Sequence, residues 1–428
     1  MRYDSSMFRK KDISFLFGLF LLLLVLASAV AIFFIDDYSP YFLASYIIPF
    51  VLILLFGRRI PKEISVIARI LLGLLFIFSG FVKGVDPFGT GYKVQDYLIA
   101  YNMPEWFMQF ALYIAIVLNL VEFTIGVMLL LNLKIKFSVV ITTLMMIFFT
   151  ITTLIDAITN LVPDCGCFGE AVKMTNWQTF YKNLTINLLL LILILTFRKK
   201  RSILIGPAQV IIAILFGVAF LGFEYYNIKN LPVIDFRDWK VGKDMKVENP
   251  KPVEYWVVYS NIYTLEDTTM LVSDIPYNDK DWMEEWEFKS QKVVDNNKYN
   301  HHLILIDENG VDQTRNVIER AQPNIFVISH NLENLKVKDI EKLEELSDIC
   351  FDLDYPISFI TASDYEVYEE LINNYNINSH FYNADDIELK TVIRSNPGII
   401  AMKNGIILKK WSRYNIPDKE ELESVLGN

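Results

Sequence analysis

The sequence predicts an α-helical polytopic membrane domain of about seven transmembrane helices joined to an α/β soluble domain. Three observations predict it. Hydrophobic residues make up 53% of the 428 and mean hydropathy is +0.31, a composition typical of membrane proteins. The apolar residues gather into seven runs, near 14–35, 40–57, 64–82, 109–131, 137–158, 180–197 and 203–223. At about 1.5 Å per residue, each is long enough, or nearly so, to cross a bilayer. Charge then divides the chain. Residues 1–230 hold 19 Lys/Arg against 13 Asp/Glu, net +6, whereas residues 231–428 hold 21 against 37, net −16. Membrane lipid is therefore an expected partner. Nucleic acid is not, because the acidic half has no basic stripe to neutralise phosphates.

The first run follows Arg9, Lys10 and Lys11 and reaches Ala27-Ser28-Ala29, the layout of a signal peptide. It continues through Ile35, which is long for that role, so an uncleaved helix is expected. The second run is the shortest. Basic clusters occupy every second junction: Arg9/Lys10/Lys11, Arg58/Arg59/Lys62, Lys134/Lys136 and Arg198/Lys199/Lys200/Arg201. The positive-inside rule makes these the cytoplasmic ends. Loops 36–40, 83–108 and 159–179 then face outward, as does everything after about residue 224. The expectation is a multi-pass inner-membrane protein with a cytoplasmic N-terminus and a periplasmic C-terminal domain.

On that oxidising side lies Pro163-Asp164-Cys165-Gly166-Cys167-Phe168-Gly169-Glu170, a polar loop with two of the three cysteines. A disulfide across Cys165-Gly166-Cys167 would close a very small ring, and strained, accessible disulfides are the labile or catalytic kind. Gly166 supplies the backbone freedom for so tight a bend. Two inert thiols, or half of a metal site, are the alternatives. Zinc needs about four ligands, and one further cysteine with four scattered histidines makes metal the weakest of these, so none is expected. Three cysteines do not build a disulfide framework.

Ionisable groups inside the spans are few, and such groups need a partner or an aqueous path. Glu122 lies in the fourth span and Arg69 in the third. A Glu122–Arg69 pair fixing helix packing is the structural expectation; a proton relay or a quinone site at Glu122 is the functional one. Gly73, Gly80 and Gly126 permit close helix contact. Asp156, near the outer end of the fifth span, reads either as a proton acceptor for a thiol or as a solvated helix end. After the third span, Lys83 and Asp86 stand where they can pair at the membrane surface. Lys83 would also favour a cysteine thiolate should the loops meet. The dense Gly and Pro of 79–93 imply a defined turn.

These motifs resemble one family. Arg69-x3-Gly73, Ser79-Gly80-x2-Lys83-x2-Asp86-Pro87, Glu122-x3-Gly126, Asp164-Cys165-Gly166-Cys167-Phe168-Gly169 and Thr175-Asn176-Trp177 look like the DoxX/MauE group of membrane proteins. They are most similar to Bacteroides-type versions that carry an extra C-terminal domain. The resemblance covers roughly 60–200 and implies a four-helix, redox-associated membrane core. In that group, MauE proteins are associated with disulfide formation during maturation of a periplasmic methylamine dehydrogenase, and DoxX-type subunits with quinone-linked oxidation. Carried over, Cys165 and Cys167 are the redox pair, with Glu122, Lys83 and Asp86 as accompanying site residues. A quinone is the one cofactor implied. The first two spans and the seventh lie outside the resemblance. The expected organisation is 1–60 for the N-terminal helices, 61–200 for the core, 201–227 for the seventh helix, 228–252 for a linker and 253–428 for the soluble domain.

In that domain, 253–259 and 302–306 read as strands by their β-branched and aromatic content. Asp307-Glu308-Asn309-Gly310 reads as a hairpin-type turn. Strands at 324–329, 357–361 and 380–383 then alternate with helices at 338–349, 365–375 and 386–394. A hairpin about Lys403-Asn404 and a last helix at 417–426 follow, suggesting a compact α/β layer. This order, with Asn396-Pro397 entering the hairpin, resembles the thioredoxin fold, in which Pro397 would be the cis-proline. It departs from that family where Cys-x-x-Cys should follow the first core strand, since the chain reads Ser329-His330-Asn331-Leu332. The domain is thus a thioredoxin-like one lacking its dithiol. Cys350 is expected to be a buried core thiol, with a resolving role toward Cys165 or Cys167 as the alternative. His330 is expected to be a loop hydrogen-bonder, and the acidic runs 281–287 and 341–345 to be solvated faces.

Two function classes follow. One is a membrane thiol–disulfide oxidoreductase or disulfide-maturation factor acting through Cys165 and Cys167 on a periplasmic client protein, with a quinone as acceptor. The other is a non-enzymatic envelope scaffold with a static cysteine link and a peptide-binding soluble domain. A transporter finds little support, because no broken-helix repeat is evident.

Overall fold

A computed structural model describes residues 5–162, 166–196, 205–247, 254–294 and 301–427. Contacts divide the chain into two units, Met1–Arg237 and Asp238–Asn428.

The first unit is helical: α1 (Ser5–Ala31), α2 (Pro40–Ser45), α3 (Ile47–Phe56), α4 (Lys62–Val85), α5 (Pro87–Ala100), α6 (Glu105–Met108), α7 (Ala111–Leu130), α8 (Ile135–Thr159), α9 (Asn176–Leu195) and α10 (Gly206–Asn230). Among the described residues, seven segments are long and apolar enough to cross a membrane, with α2 and α3 together forming the second. That second span breaks at Tyr46, because Pro49 has no N–H to offer the carbonyl of Ser45. The turn expected after the third span is instead the start of α5. Asp86 caps it, its carboxylate accepting from Gly89 N at 2.9 Å, with Pro87 in the first turn.

α4 and α7 pack nearly backbone to backbone. A Cβ on Gly73 would stand 2.8 Å from Leu130 N, one on Gly80 2.7 Å from Phe123 N, and one on Gly126 2.5 Å from Ile77 N. Small residues allow this approach where no hydrophobic force drives helices together. Hydrogen bonds join α9 to its neighbours: Asn183 Nδ2 donates to Thr153 Oγ1 at 3.0 Å, Asn187 Nδ2 to Thr150 Oγ1 at 2.8 Å, and Thr185 meets the Tyr46 hydroxyl at 3.0 Å. The seventh span, α10, is not peripheral. Its Phe220 stacks on Phe123 with centroids 4.2 Å apart, and Asn227 Nδ2 donates to Gly84 O at 3.0 Å.

The second unit holds two sheets. β1 (Glu254–Asn261), β2 (Asp267–Leu271), α11 (Lys280–Glu285) and β3 (Trp286–Val294) build an antiparallel sheet of order β2-β1-β3. Only its first strand was expected; the acidic run 281–287 forms its exposed α11–β3 corner. The rest of the chain runs α12 (Thr314–Ile318), β4 (Asn324–Ser329), α13 (Val337–Asp352), β5 (Ile357–Thr361), α14 (Tyr365–Asn374), β6 (His380–Asn383), α15 (Asp386–Val392), β7 (Gly398–Lys403), β8 (Ile406–Ser412) and α16 (Lys419–Leu426). Its sheet has the order β6-β5-β4-β7-β8, with β4, β5 and β6 parallel and β7 and β8 antiparallel. Alternate residues Ile325, Val327, Ile357, Phe359, Ile399 and Ala401 form one core with Leu343 and Leu346 of α13 and Leu422 of α16. Asn396-Pro397 is cis and leads into β7.

Two expectations are corrected here. The stretch 302–306 is not a strand. Ile306 alone bridges to Asn383 and Asp312, while Gly310, at φ +78°, makes the expected turn. Nor is 228–252 a free linker throughout. α10 runs to Asn230, and from Asp238 the chain packs on the sheet, with Trp239 and Met245 buried. Gly242 N donates to Ile407 O and Met245 N to Gly405 O, both at 2.8 Å, so this segment covers the β8 edge.

Candidate functional site

Loops between helices meet at one end of the membrane unit. The cysteine loop is stitched at both of its ends. Asn176 Nδ2 donates to Val162 O at 3.0 Å and to Asn160 Oδ1 at 2.9 Å, joining the exit of α8 to the entry of α9. Thr175 and Gln178 form a capping box there, and Gln178 Nε2 also donates to Asp36 Oδ1 at 2.9 Å. Between these ends the chain makes a tight turn, Gly169 N donating to Gly166 O at 2.9 Å. Gly166 and Gly169 have φ of +61° and +52°, a region that residues with a Cβ enter at a steric cost.

The turn lies on α4. Ser79 Oγ donates to Cys167 O at 2.8 Å, and a Cβ on Gly169 would stand 3.3 Å from Val82. A Cβ on Gly166 would stand 3.0 Å from Lys93 Cγ, so the cysteine turn meets α5 as well as α4. Phe168 reaches inward between helices, its ring 5.6 Å from that of Phe78 and 4.5 Å from the Lys182 ammonium. Cys167 is half-buried. Cys165, with Pro163 and Asp164, lies outside the described residues, as do Arg198, Lys199, Lys200 and Arg201. The cleft bounded by Val82, Asp86, Lys93 and Gly166 measures about 20 Å³, room for one water rather than a small-molecule substrate.

Beneath the turn, Lys83 Nζ donates to Glu122 Oε2 at 2.7 Å, both side chains buried. This corrects the expected Glu122–Arg69 pair. Arg69 lies fourteen residues before Lys83 on α4, about 21 Å away along the axis. Its guanidinium instead donates to the carbonyls of Leu129 and Leu130 at the C-terminal end of α7, where four carbonyls lack intrahelical partners and a cation is favoured. Lys83 is thus a buried residue rather than a surface one, and Asp86 serves as a helix cap. Asp156 is not a solvated helix end: it is buried, and the Tyr97 hydroxyl donates to its Oδ2 at 2.6 Å.

Two site residues escaped the sequence reading. Glu224 sits one residue past the apolar run assigned to the seventh span. α10 carries it into the bundle, where it is 1% exposed and accepts from Asn119 Nδ2 at 3.0 Å. Lys182 interrupts the sixth run, a signal that was present, and is only 9% exposed.

In the second unit, the residues that follow β4 are tied up by hydrogen bonds. Ser329 Oγ donates to Asn396 Oδ1 at 2.7 Å, and Asn396 Nδ2 to Asn331 O at 2.9 Å. These residues, rather than His330, do the loop's hydrogen bonding. Burial lowers the His330 ring to about 4, with the Lys390 charge as a further cause, so it is neutral at neutral pH. Cys350 is a buried core thiol, and burial pushes it up to about 12.

Residues 61–198 match the family described as MauE, methylamine utilisation protein MauE. Over those residues the chain is similar to MauE, and its seven long apolar helices make it a multi-pass membrane protein. The MauE-like core runs from the start of α4 to the end of α9 and contains the cysteine turn, the Lys83–Glu122 pair, Asp156 and Lys182. Helices α1–α3, α10 and the whole second unit lie beyond it. No curated protein matches the chain.

Proposed function

We propose that this MauE-like protein is a thiol–disulfide oxidoreductase, of the MauE/DoxX kind, that uses Cys165 and Cys167 to mature disulfides in an envelope client. The observation that carries the reading is the anchoring of the cysteine turn. Ser79 and Phe168 hold Cys167 half-buried on a helix bearing a buried ion pair, and the cleft beside it, at Gly166, is too small for a metabolite. A partner thiol brought from outside is the reactant such a site admits.

In the oxidised state, a client thiolate attacks the Cys165–Cys167 disulfide and forms a mixed disulfide, releasing one loop sulfur as thiolate. The second client thiolate then displaces the other loop sulfur. The client leaves with a disulfide and the loop keeps two electrons as a dithiol. Asp156, held by Tyr97, is the nearby carboxylate suited to take up thiol protons. The loop returns to disulfide by passing two electrons and two protons to an acceptor.

A quinone of the membrane fits as that acceptor's chemical class. A groove of about 910 Å³ between α7, α8 and α10 is walled by Leu120, Ile125, Phe137, Ile214 and Leu221. Among the described residues, the Thr124 hydroxyl on its wall has no hydrogen-bond partner. Apolar walls would hold the isoprenoid tail, and Thr124 would donate to a ring oxygen. Glu122, turned to Lys83, does not line this groove. A quinone bound there would supply a two-electron, two-proton sink.

The second unit is read as thioredoxin-like and as the part that binds or presents the client. Its parallel β4-α13-β5 crossover, its β7–β8 pair and the cis bond at Pro397 support this. By the positive-inside rule, the basic clusters of the sequence support a reading in which it and the cysteine turn face the periplasm from the inner membrane.

The test is rapid acid quench of cells followed by mass-tag alkylation of Cys165 and Cys167. A thiol–disulfide mixture that shifts when respiration is blocked is expected. Replacing both cysteines by Ser should abolish client oxidation while leaving membrane insertion intact. Client oxidation retained in that variant would sink the proposal.

A further inference from the structure

Lys182 is in an unusual position. It lies in α9, within a membrane-crossing segment, and is more than nine-tenths buried. Among the described residues its ammonium has neither a carboxylate nor a hydrogen-bond acceptor, and faces only the Phe168 ring at 4.5 Å. A ring face offsets only part of what burial of an ammonium costs. Such a cation is stable where an anion arrives at some point in the protein's working cycle.

Among the described residues, the neighbouring charges do not supply that anion. Lys83 and Glu122 share an ion pair on α4 and α7, at 2.7 Å. On α5, Lys93 and Asp96 stand 3.9 Å apart, and Asp86 caps the helix. Asp156 on α8 is held by Tyr97. Glu170 and Lys173, in the loop itself, stand 3.8 Å apart, with the lysine in solvent. The group that changes charge beside Phe168 is its covalent neighbour, Cys167.

We propose that Lys182 is the counter-cation of the Cys167 thiolate. When the Cys165–Cys167 bond is broken by two-electron reduction, the ammonium leaves the Phe168 ring and meets the sulfur. When the disulfide re-forms, it returns to the ring. A cation so placed favours the thiolate form of the attacking or leaving sulfur. The inference rests on the redox reading for its physiological use, but not for its test.

The experiment uses the full chain in lipid nanodiscs, reduced with excess dithiol and then freed of it. The rate of iodoacetamide alkylation of Cys167 is followed against pH by peptide mass spectrometry. In the parent protein the midpoint should lie below the ordinary thiol value of about 8.5; a midpoint at or above it overturns the proposal. Lys182→Met should raise the midpoint by about one unit, making alkylation near neutral pH roughly tenfold slower, and Lys182→Arg should restore it. Phe168→Leu removes the ring but leaves the cation, so its midpoint should stay low; a rise as large as that of Lys182→Met would mean that Lys182 acts only by packing. An unmoved midpoint in Lys182→Met overturns the assignment. A Lys182-dependent midpoint in a protein whose cysteines never cycle in cells would support the assignment and reject the redox reading separately.

Discussion

The Lys83 ammonium meets the Glu122 carboxylate at 2.7 Å, buried, and ties α4 to α7 just beneath the cysteine turn. Two charges taken out of water together are stable only as a pair, and removing either leaves the other uncompensated. Lys83→Met or Glu122→Leu alone should therefore destabilise the membrane unit by about 3–5 kcal/mol. The double replacement should cost far less than the sum of the two. Unfolding in mixed micelles, run as a double-mutant cycle, measures the difference; additive losses would mean that the pair is not coupled.

Helix contact gives a second expectation. A methyl on Gly126 would press on Ile77 N at 2.5 Å, whereas a methyl on Gly222 would meet nothing within 4 Å. Gly126→Ala should cost about 1–3 kcal/mol through overpacking. Gly222→Ala should be neutral or slightly stabilising, since alanine is the better helix former. Thermal unfolding midpoints of the two variants in one detergent separate these outcomes.

The second unit should weaken in mild acid. Burial holds His330 and His301 at about 4, against an ordinary value of 6.5. An unfolded chain takes up these protons near 6.5, and the folded one does not. The contribution of neutral burial is then fully present above about 6.5, is lost as pH falls toward about 4, and changes no further below that. Denaturant midpoints of the second unit's transition in the intact chain should follow this course. His330→Gln should flatten the slope, and an unchanged slope in that variant would remove His330 from the account.

Thiol accessibility offers a fourth check. Cys350 is sealed in the core between α13 and the sheet, and burial pushes its thiol up to about 12. In the native, reduced protein, N-ethylmaleimide at neutral pH should label Cys167 well before Cys350. The two should label alike in denaturant. Fast native labelling of Cys350 would mean that this core opens.

The sequence by itself determined the elements whose signal is local. Seven apolar runs and the strand and helix order from Asn324 onward need only periodicity and composition, and each stands where it was expected. The cysteine turn was legible too, because its glycines occupy positive-φ positions that other residues avoid. Pairing across the bundle was not. Glu122 had three basic residues on α4 to choose from, and only the crossing of α4 and α7, set by Gly73, Gly80 and Gly126, brings Lys83 to it and sends Arg69 to the carbonyls of Leu129 and Leu130. The same holds for Glu224 on Asn119 and for Lys182 on Phe168. A charge in a membrane helix is visible in one dimension. Its partner depends on which helix face turns to which neighbour, and that is decided only when the backbones pack.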